Sequence, residues 1–224
     1  QGLLQLFHLP AQLRARQQRR QARACLERLT QGLLALAGGQ FAMAEAELAQ
    51  VETGCEARLR GLAALAAARA AQAQGHAQQR ERYLHQASQA LPQAELAIGL
   101  TQAELQLEQG QHEQALATLE YLHRQAPAEL SVLRHMARLY EYFQDAKRLA
   151  ELFPVLEAQA VVPPGELARL ARLTALGLLE QAAKQDGLAG LQAVWDDLPA
   201  AAQTDEQVRA DYAHRLAVLG AGND

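Results

Sequence analysis

Seven histidines, His8, His76, His85, His112, His123, His135 and His214, are the side chains best suited to hold a metal or to ligate haem iron, since imidazole is the usual axial ligand. No pair of them falls in a recognised metal motif, so surface histidine is the plainer reading and a haem or porphyrin ligand the sharper alternative. The two cysteines, Cys25 and Cys55, match neither CxxC nor CxxCH, which leaves free thiols as the default. They open helix A and close helix B of one expected hairpin, so antiparallel packing brings them to one end, and a disulfide would require an oxidising compartment. Ser88 lies in an expected helix and Ser131 opens one, with no nucleophilic constellation around either. The terminal GAGND has no strand before it and no helix after it, so no dinucleotide cradle is present. These residues predict a protein that is not an enzyme and has no assigned catalytic, cofactor or metal residues.

The elements that carry these residues are helical. Half of the 224 residues are apolar but only 4% are aromatic, and alanine, leucine, glutamine, arginine and glutamate dominate. Such side chains lose little freedom in a helix, while strand formers are scarce. Glycines set the period. Gly75 is followed by Leu84, Ala87 and Pro92, and Gly110 by Leu119, Leu122 and Pro127, an offset of 110 − 75 = 35. Gly39 lies 75 − 39 = 36 residues earlier. This is the tetratricopeptide spacing of about 34 residues, helix, turn, helix. Gly32, Ala68, Ala103 and Ala137 fall at the same small position of helix A. Arg80 and Leu149 replace the alanine expected in helix B, and Gln144 replaces the turn glycine of the fourth unit.

The expected fold is therefore all-α: tetratricopeptide-like antiparallel helix hairpins stacked as a right-handed solenoid. Residues 1–24 read as a basic juxtamembrane helix or linker, the end of a truncated transmembrane segment. Four repeats follow over 25–163 (25–58, 61–94, 96–129, 130–163), then an atypical hairpin over 164–203 and the first helix of a further, truncated repeat over 204–224, ending at Gly220.

Stacked helix A faces form a concave groove suited to peptides and proteins. Counting along the helices places Leu62, Leu65, Arg69 and Gln72 there, with Leu100, Glu104, Leu107 and Glu108 from the next unit and Arg134, Arg138, Glu141 and Tyr142 from the fourth. Arg69, Glu104 and Arg138 make a plus, minus, plus stripe, read as inter-repeat ion pairs or as a ligand-facing polar strip. The clamp of lysines and asparagines that grips a chaperone's C-terminal carboxylate is missing, because the only asparagine is Asn223. Net charge is −4, yet six arginines (Arg14, Arg16, Arg19, Arg20, Arg23 and Arg28) stand against Glu27 alone between residues 14 and 28. Without interleaved aromatics this run does not suit nucleic acid. Arg14, Arg16, Arg19, Arg20 and Arg23 suit an anionic membrane surface, and positive charge beside a span favours the cytoplasmic face, with a periplasmic placement as the alternative.

The stretches RARQQRRQARACLERLTQGLLALAGGQFAMAEAEL (14–48), YLHQASQALPQAELAIGLTQAELQLEQGQHEQALATL (83–119), VLRHMARLYEYFQDAKRLAELFPVLEA (132–158) and LTALGLLEQAAKQDGLAGLQAVWDDLP (173–199) resemble the HemY family. These are proteobacterial inner-membrane tetratricopeptide proteins associated with haem biosynthesis. The resemblance implies two membrane spans before residue 1, further repeats after Asp224, and a scaffold or regulatory role among haem-biosynthesis enzymes. A generic adaptor for membrane-protein assembly is the alternative.

Overall fold

In a computed structural model of the chain, residues 3–51 and 54–221 are described, with side chains over 16–51 and 54–220. The side chains of His8 and Arg14, and Asn223 altogether, lie outside the described residues. All regular structure among the described residues is helical, and the chain divides into two compact units, Gln1–Gln111 and His112–Asp224.

The first unit comprises α1 (Leu3–Ala37), α2 (Phe41–Ala49), α3 (Ala57–Ala73), α4 (Ala77–Ala90) and α5 (Glu95–Glu108), with a 3-10 turn at Pro92–Ala94. Helix α3 packs against α1, α2, α4 and α5. Its sequence, ARLRGLAALAAARAAQA, explains how it can touch so many partners. Ala63, Ala66, Ala67 and Ala70 join Leu29, Ala44 and Leu48 in one core. On other faces Ala64 meets Ala87, Leu91 and Ile98, and Ala68 meets Leu84 and Leu105. Methyl side chains let neighbouring helices come close on several sides while their larger leucines fill the space between. Glycine does the same where even a methyl is too large. A Cβ on Gly32 would lie 2.5 Å from Leu48 Cγ, and one on Gly61 2.3 Å from Leu91 Cδ1.

The second unit comprises α6 (His112–Gln125), α7 (Leu130–Tyr142), α8 (Ala146–Ala158), α9 (Pro164–Gln185), α10 (Gly187–Asp197), α11 (Ala200–Thr204) and α12 (Glu206–Ala221). Val132, Leu133, Met136, Ala137 and Tyr140 of α7 are buried, at the spacing of one helical face. Helix α9 continues the packing from α8 to α10 and α12. Ala175, Leu179, Leu191, Leu198, Ala202 and Val208 form the core there, and Trp195 stacks on Tyr212 with ring centroids 4.1 Å apart. Asp205 starts α12 by accepting from the backbone N–H groups of Gln207 and Val208 at 3.0 and 3.2 Å. It also accepts from Arg172 Nε of α9 at 2.8 Å.

A single turn geometry recurs. Gly39, Gly75 and Gly110 have φ of +72°, +76° and +71°. At each turn the next residue's N–H reaches back five residues: Gln40 to Ala35 O at 2.8 Å, His76 to Ala71 O at 2.8 Å, Gln111 to Gln106 O at 2.9 Å. That bond satisfies a carbonyl left over at the helix end, and the left-handed residue before it is what glycine supplies at least cost. Asp145 N–H to Tyr140 O, at 2.9 Å, closes the same turn after α7, with Gln144 at φ +56° in the glycine's place.

Three sequence expectations change. Helix α1 runs unbroken through residues 24 and 25, because nothing in RQARACLER interrupts helix formation. Helix α12 continues through Gly220 to Ala221, so that glycine does not stop the helix, and α11 is an additional short turn. The cysteines are not free: Cys25 and Cys55 form a disulfide with Cα atoms 5.9 Å apart. Helix α2 ends at Ala49, which leaves Cys55 in the connection to α3, where the chain doubles back along α1.

Two stability effects follow. Replacing Gln144 by Gly removes the steric cost of a left-handed residue with a Cβ, and should raise the unfolding free energy by about 1 kcal/mol. The double substitution Cys25→Ser/Cys55→Ser removes a cross-link over a sequence separation of 30, and should lower it by about 2–4 kcal/mol. Urea titration of each variant against the parent measures both.

Candidate partner-binding surfaces

In the first unit α1, α3 and α5 lie in sequence, with α3 touching both of the others. Leu62 is 52% exposed, Leu65, Leu100 and Leu107 are half-buried, and Glu108 is exposed. Arg69 Nη2 donates to Glu104 Oε2 at 2.7 Å across α3 and α5. Both side chains are well hydrated, so the pair is worth about 0.2–1 kcal/mol and sets orientation more than stability. Gln72 is committed within the protein. Its Oε1 accepts from Arg80 Nη1 at 2.8 Å and its Nε2 donates to Leu105 O at 3.3 Å, tying α3 to α4 and α5. Arg80, at the position where the repeat expects alanine, is buried and also donates through Nε to Glu81 at 2.9 Å. A guanidinium can sit there because these partners occupy its donors.

Leu26 and Leu33 of α1 stand at positions of the first repeat equivalent to Leu62 and Arg69 and were not singled out from the sequence. They are 55% and 44% exposed. They precede Leu62 and Arg69 by 36 residues, the interval between Gly39 and Gly75. That interval was the signal that could have found them. Further up α1, Arg16, Arg19, Arg20 and Arg23 are all exposed.

Glu45 of α2 is another residue the sequence did not mark. It accepts from Gln74 Nε2 at 2.8 Å and from the Tyr83 hydroxyl at 3.2 Å, and lies 3.4 Å from His76 Nδ1. Burial first, then the Glu45 charge, raises the Tyr83 pKa above its ordinary value. The cluster ties the first hairpin to the turn of the next, and this occupies His76.

In the second unit Arg134 Nη2 donates to Val161 O at 3.3 Å, and Arg138 is exposed. Glu141 receives a bidentate grip from Arg169 of α9: Nη1 donates to Oε1, and Nη2 to Oε2 at 2.9 Å. This hydrogen bonding holds the Glu141 carboxyl below its ordinary value, with the Arg169 and Arg138 charges adding to the effect against partial burial. Tyr142 stacks on His112 with centroids 4.0 Å apart, and Phe143 meets its edge at 5.3 Å. Beside them is a cleft of about 970 Å³, bordered by Glu141, Phe143, Leu173, Gly177 and Arg215. Its charges are matched, Asp211 with Arg215 at 2.6 Å and Glu180 with Lys184 at 2.5 Å. Phe143 and Leu173 at its border are exposed. Among the described residues no group of three or more His, Cys, Asp and Glu is placed to hold a metal ion, and no helix is long and apolar enough to cross a membrane.

Small residues at helix contacts, hairpins joined by one recurring turn, and surfaces of mixed charge with exposed leucine define an all-α, tetratricopeptide-like helical-repeat protein. Residues 1–75, about a third of the chain, match the family model described as HemY protein N-terminus. No curated protein matches the chain. A solved structure titled "MamA AMB-1 C2221" is similar at 12% identity and a TM-score of 0.49, over 79% of this chain and 99% of that one.

The Glu141–Arg169 pair has a definite pH signature. A carboxyl whose folded pKa is depressed contributes stability above its unfolded value, near 4.5, and loses it as the pH falls through the lower folded value. Glu141→Gln should therefore cost about 0.5 kcal/mol at pH 7, a figure already reduced for solvent screening. The two proteins should converge at pH values below the folded pKa, as read by urea titration across the acid range.

Proposed function

We propose that this chain is a non-catalytic scaffold, anchored to a membrane through the protein of which it is part, that holds another protein against the exposed face of α1, α3 and α5. The observation that carries this reading is the arrangement on that face. Leu26, Leu33 and Leu62 are exposed leucines at positions related by the repeat interval, and Arg69 pairs with Glu104, on helices whose other sides fill the core. Scattered exposed leucines need no explanation, but leucines in register on adjacent helices offer apolar area that a partner can cover. In the second unit Arg134, Arg138, Glu141 and Tyr142 offer a more polar surface of the same kind.

The partner class is proposed from the family. The HemY match over residues 1–75 supports a reading in which haem-biosynthesis proteins are the partners, brought together so that a poorly soluble intermediate meets its next enzyme at high local concentration. The exposed Arg16, Arg19, Arg20 and Arg23 would rest on anionic lipid, each contributing about 1 kcal/mol when close to the surface.

The test is crosslinking of the full-length protein in its native membrane followed by mass spectrometry. Haem-biosynthesis enzymes should be recovered, and charge reversal at Glu104 and Glu108 should reduce that recovery at least several-fold. Unaltered recovery would remove this face from the interaction, and a set of unrelated membrane proteins would favour a general assembly adaptor.

A further inference from the structure

We propose that Cys25 and Cys55 form a reversible oxidation site: a dithiol under the reducing conditions of the cytoplasm, and a disulfide that locks the first hairpin once a peroxide reaches it. Two observations of opposite sense lead to it. The structure joins the two sulfurs, and lasting disulfides belong to oxidising compartments. Yet six arginines stand against one acid between residues 14 and 28. That run favours the cytoplasmic face, where thiol systems keep such pairs reduced. A bond made only under oxidation satisfies both. The proposal rests on the cytoplasmic placement and not on which protein the helical face holds.

Gln21, Cys25 and Arg28 lie at i, i+4 and i+7 on one stripe of α1 and meet the connection between α2 and α3. Arg28 Nη1 donates to Gln50 O at 3.0 Å. Gln21 lies so close to Gly54 that a Cβ there would come within 1.8 Å of Gln21 Nε2. Neither contact involves sulfur, so both can keep the connection beside α1 when the pair is reduced. The two sulfurs differ in access. Cys55 is half-buried in the non-helical connection, between exposed Gly54 and Glu56, whereas Cys25 is 5% exposed. An accessible thiol beside a resolving thiol is the arrangement of a redox-sensing pair.

The chemistry balances with hydrogen peroxide as oxidant. The Cys55 thiolate attacks one peroxide oxygen; an S–O bond forms, the O–O bond breaks and hydroxide leaves. The Cys25 thiolate then attacks Cys55 Sγ, forming the Sγ–Sγ bond and expelling the second hydroxide. The two protons given up by the thiols turn both hydroxides into water, so the sulfurs lose two electrons and the peroxide gains them. A cytosolic dithiol reverses the step by exchange and becomes a disulfide itself. The chain has no third cysteine to compete. Once made, the bond closes a loop over a sequence separation of 30, with all of α2 inside it.

Two measurements on the full-length protein test this. Cells are quenched in acid before and after a pulse of hydrogen peroxide, free thiols are blocked with N-ethylmaleimide, and the protein is reduced and labelled with a mass-distinct maleimide. In unstressed cells both cysteines should carry the first label in most molecules. The pulse should move them to the second label, and removal of peroxide should restore the first. Second label on both cysteines in unstressed cells would overturn the proposal by showing a permanent bond. First label retained after the pulse would overturn it as well, by showing an inert pair, and neither readout depends on a variant folding. Hydrogen exchange on the protein in lipid nanodiscs then reads the lock: amides of residues 41–51 should exchange slower by about ten-fold in the oxidised form. Cys25→Ser/Cys55→Ser should exchange like the reduced form, with or without peroxide. Equal rates in the two forms, or slowing by peroxide in the double variant, would remove the lock. Partner crosslinking is read separately, so this proposal and the scaffold reading can each fail alone.

Discussion

Close approach of helices through small side chains is the constraint on which the rest depends. Helix α3 buries seven alanines at or below 7% exposure and packs against four other helices of its unit. With leucine at those sites the neighbours would be pushed outward, and the leucines that do fill the core, Leu29, Leu48, Leu84 and Leu105, would lose their contacts. The same device appears in the second unit, where a Cβ on Gly177 of α9 would sit 2.7 Å from the Cβ of Ala146 in α8. Because alanine contributes so little apolar area of its own, the larger leucines and valines facing it supply most of the burial.

Polar ties then hold the hairpins in register, and they sit where packing alone would leave sliding freedom. Glu45 gathers Gln74 and Tyr83; Gln72 bridges Arg80 and the Leu105 carbonyl; Asp205 caps α12 while gripping Arg172. Each joins at least two helices, and each leaves buried polar atoms with partners. This use of polar side chains separates two kinds of residue on the candidate surface. Leu62 and Glu108 remain exposed, whereas Gln72 of the same unit is occupied by the fold itself, through Arg80 and the Leu105 carbonyl.

The disulfide adds a covalent tie at the one place where helix α1 extends beyond its hairpin partner. Helix α1 has 35 residues and α2 has nine, so much of α1 has no neighbour from the hairpin turn. Gln21, Cys25 and Arg28 give it one in the connection to α3. This anchors the end of the helix that carries the arginines.

The helical class, the turn glycines and the small positions were legible in the sequence because each is a local requirement repeated at a fixed interval. Gly39, Gly75 and Gly110 must adopt left-handed backbone, and Gly32, Ala68, Ala103 and Ala137 must be small. Gln144 was recognisable as the odd member of the turn series for the same reason. What the sequence left open involves partners distant along the chain. Whether Arg69 meets Glu104, whether Gln72 is free, whether Cys25 reaches Cys55, and where Glu45 finds its donors all depend on how hairpins settle against one another. A period states which residues are equivalent; only packing in three dimensions states which of them are already occupied.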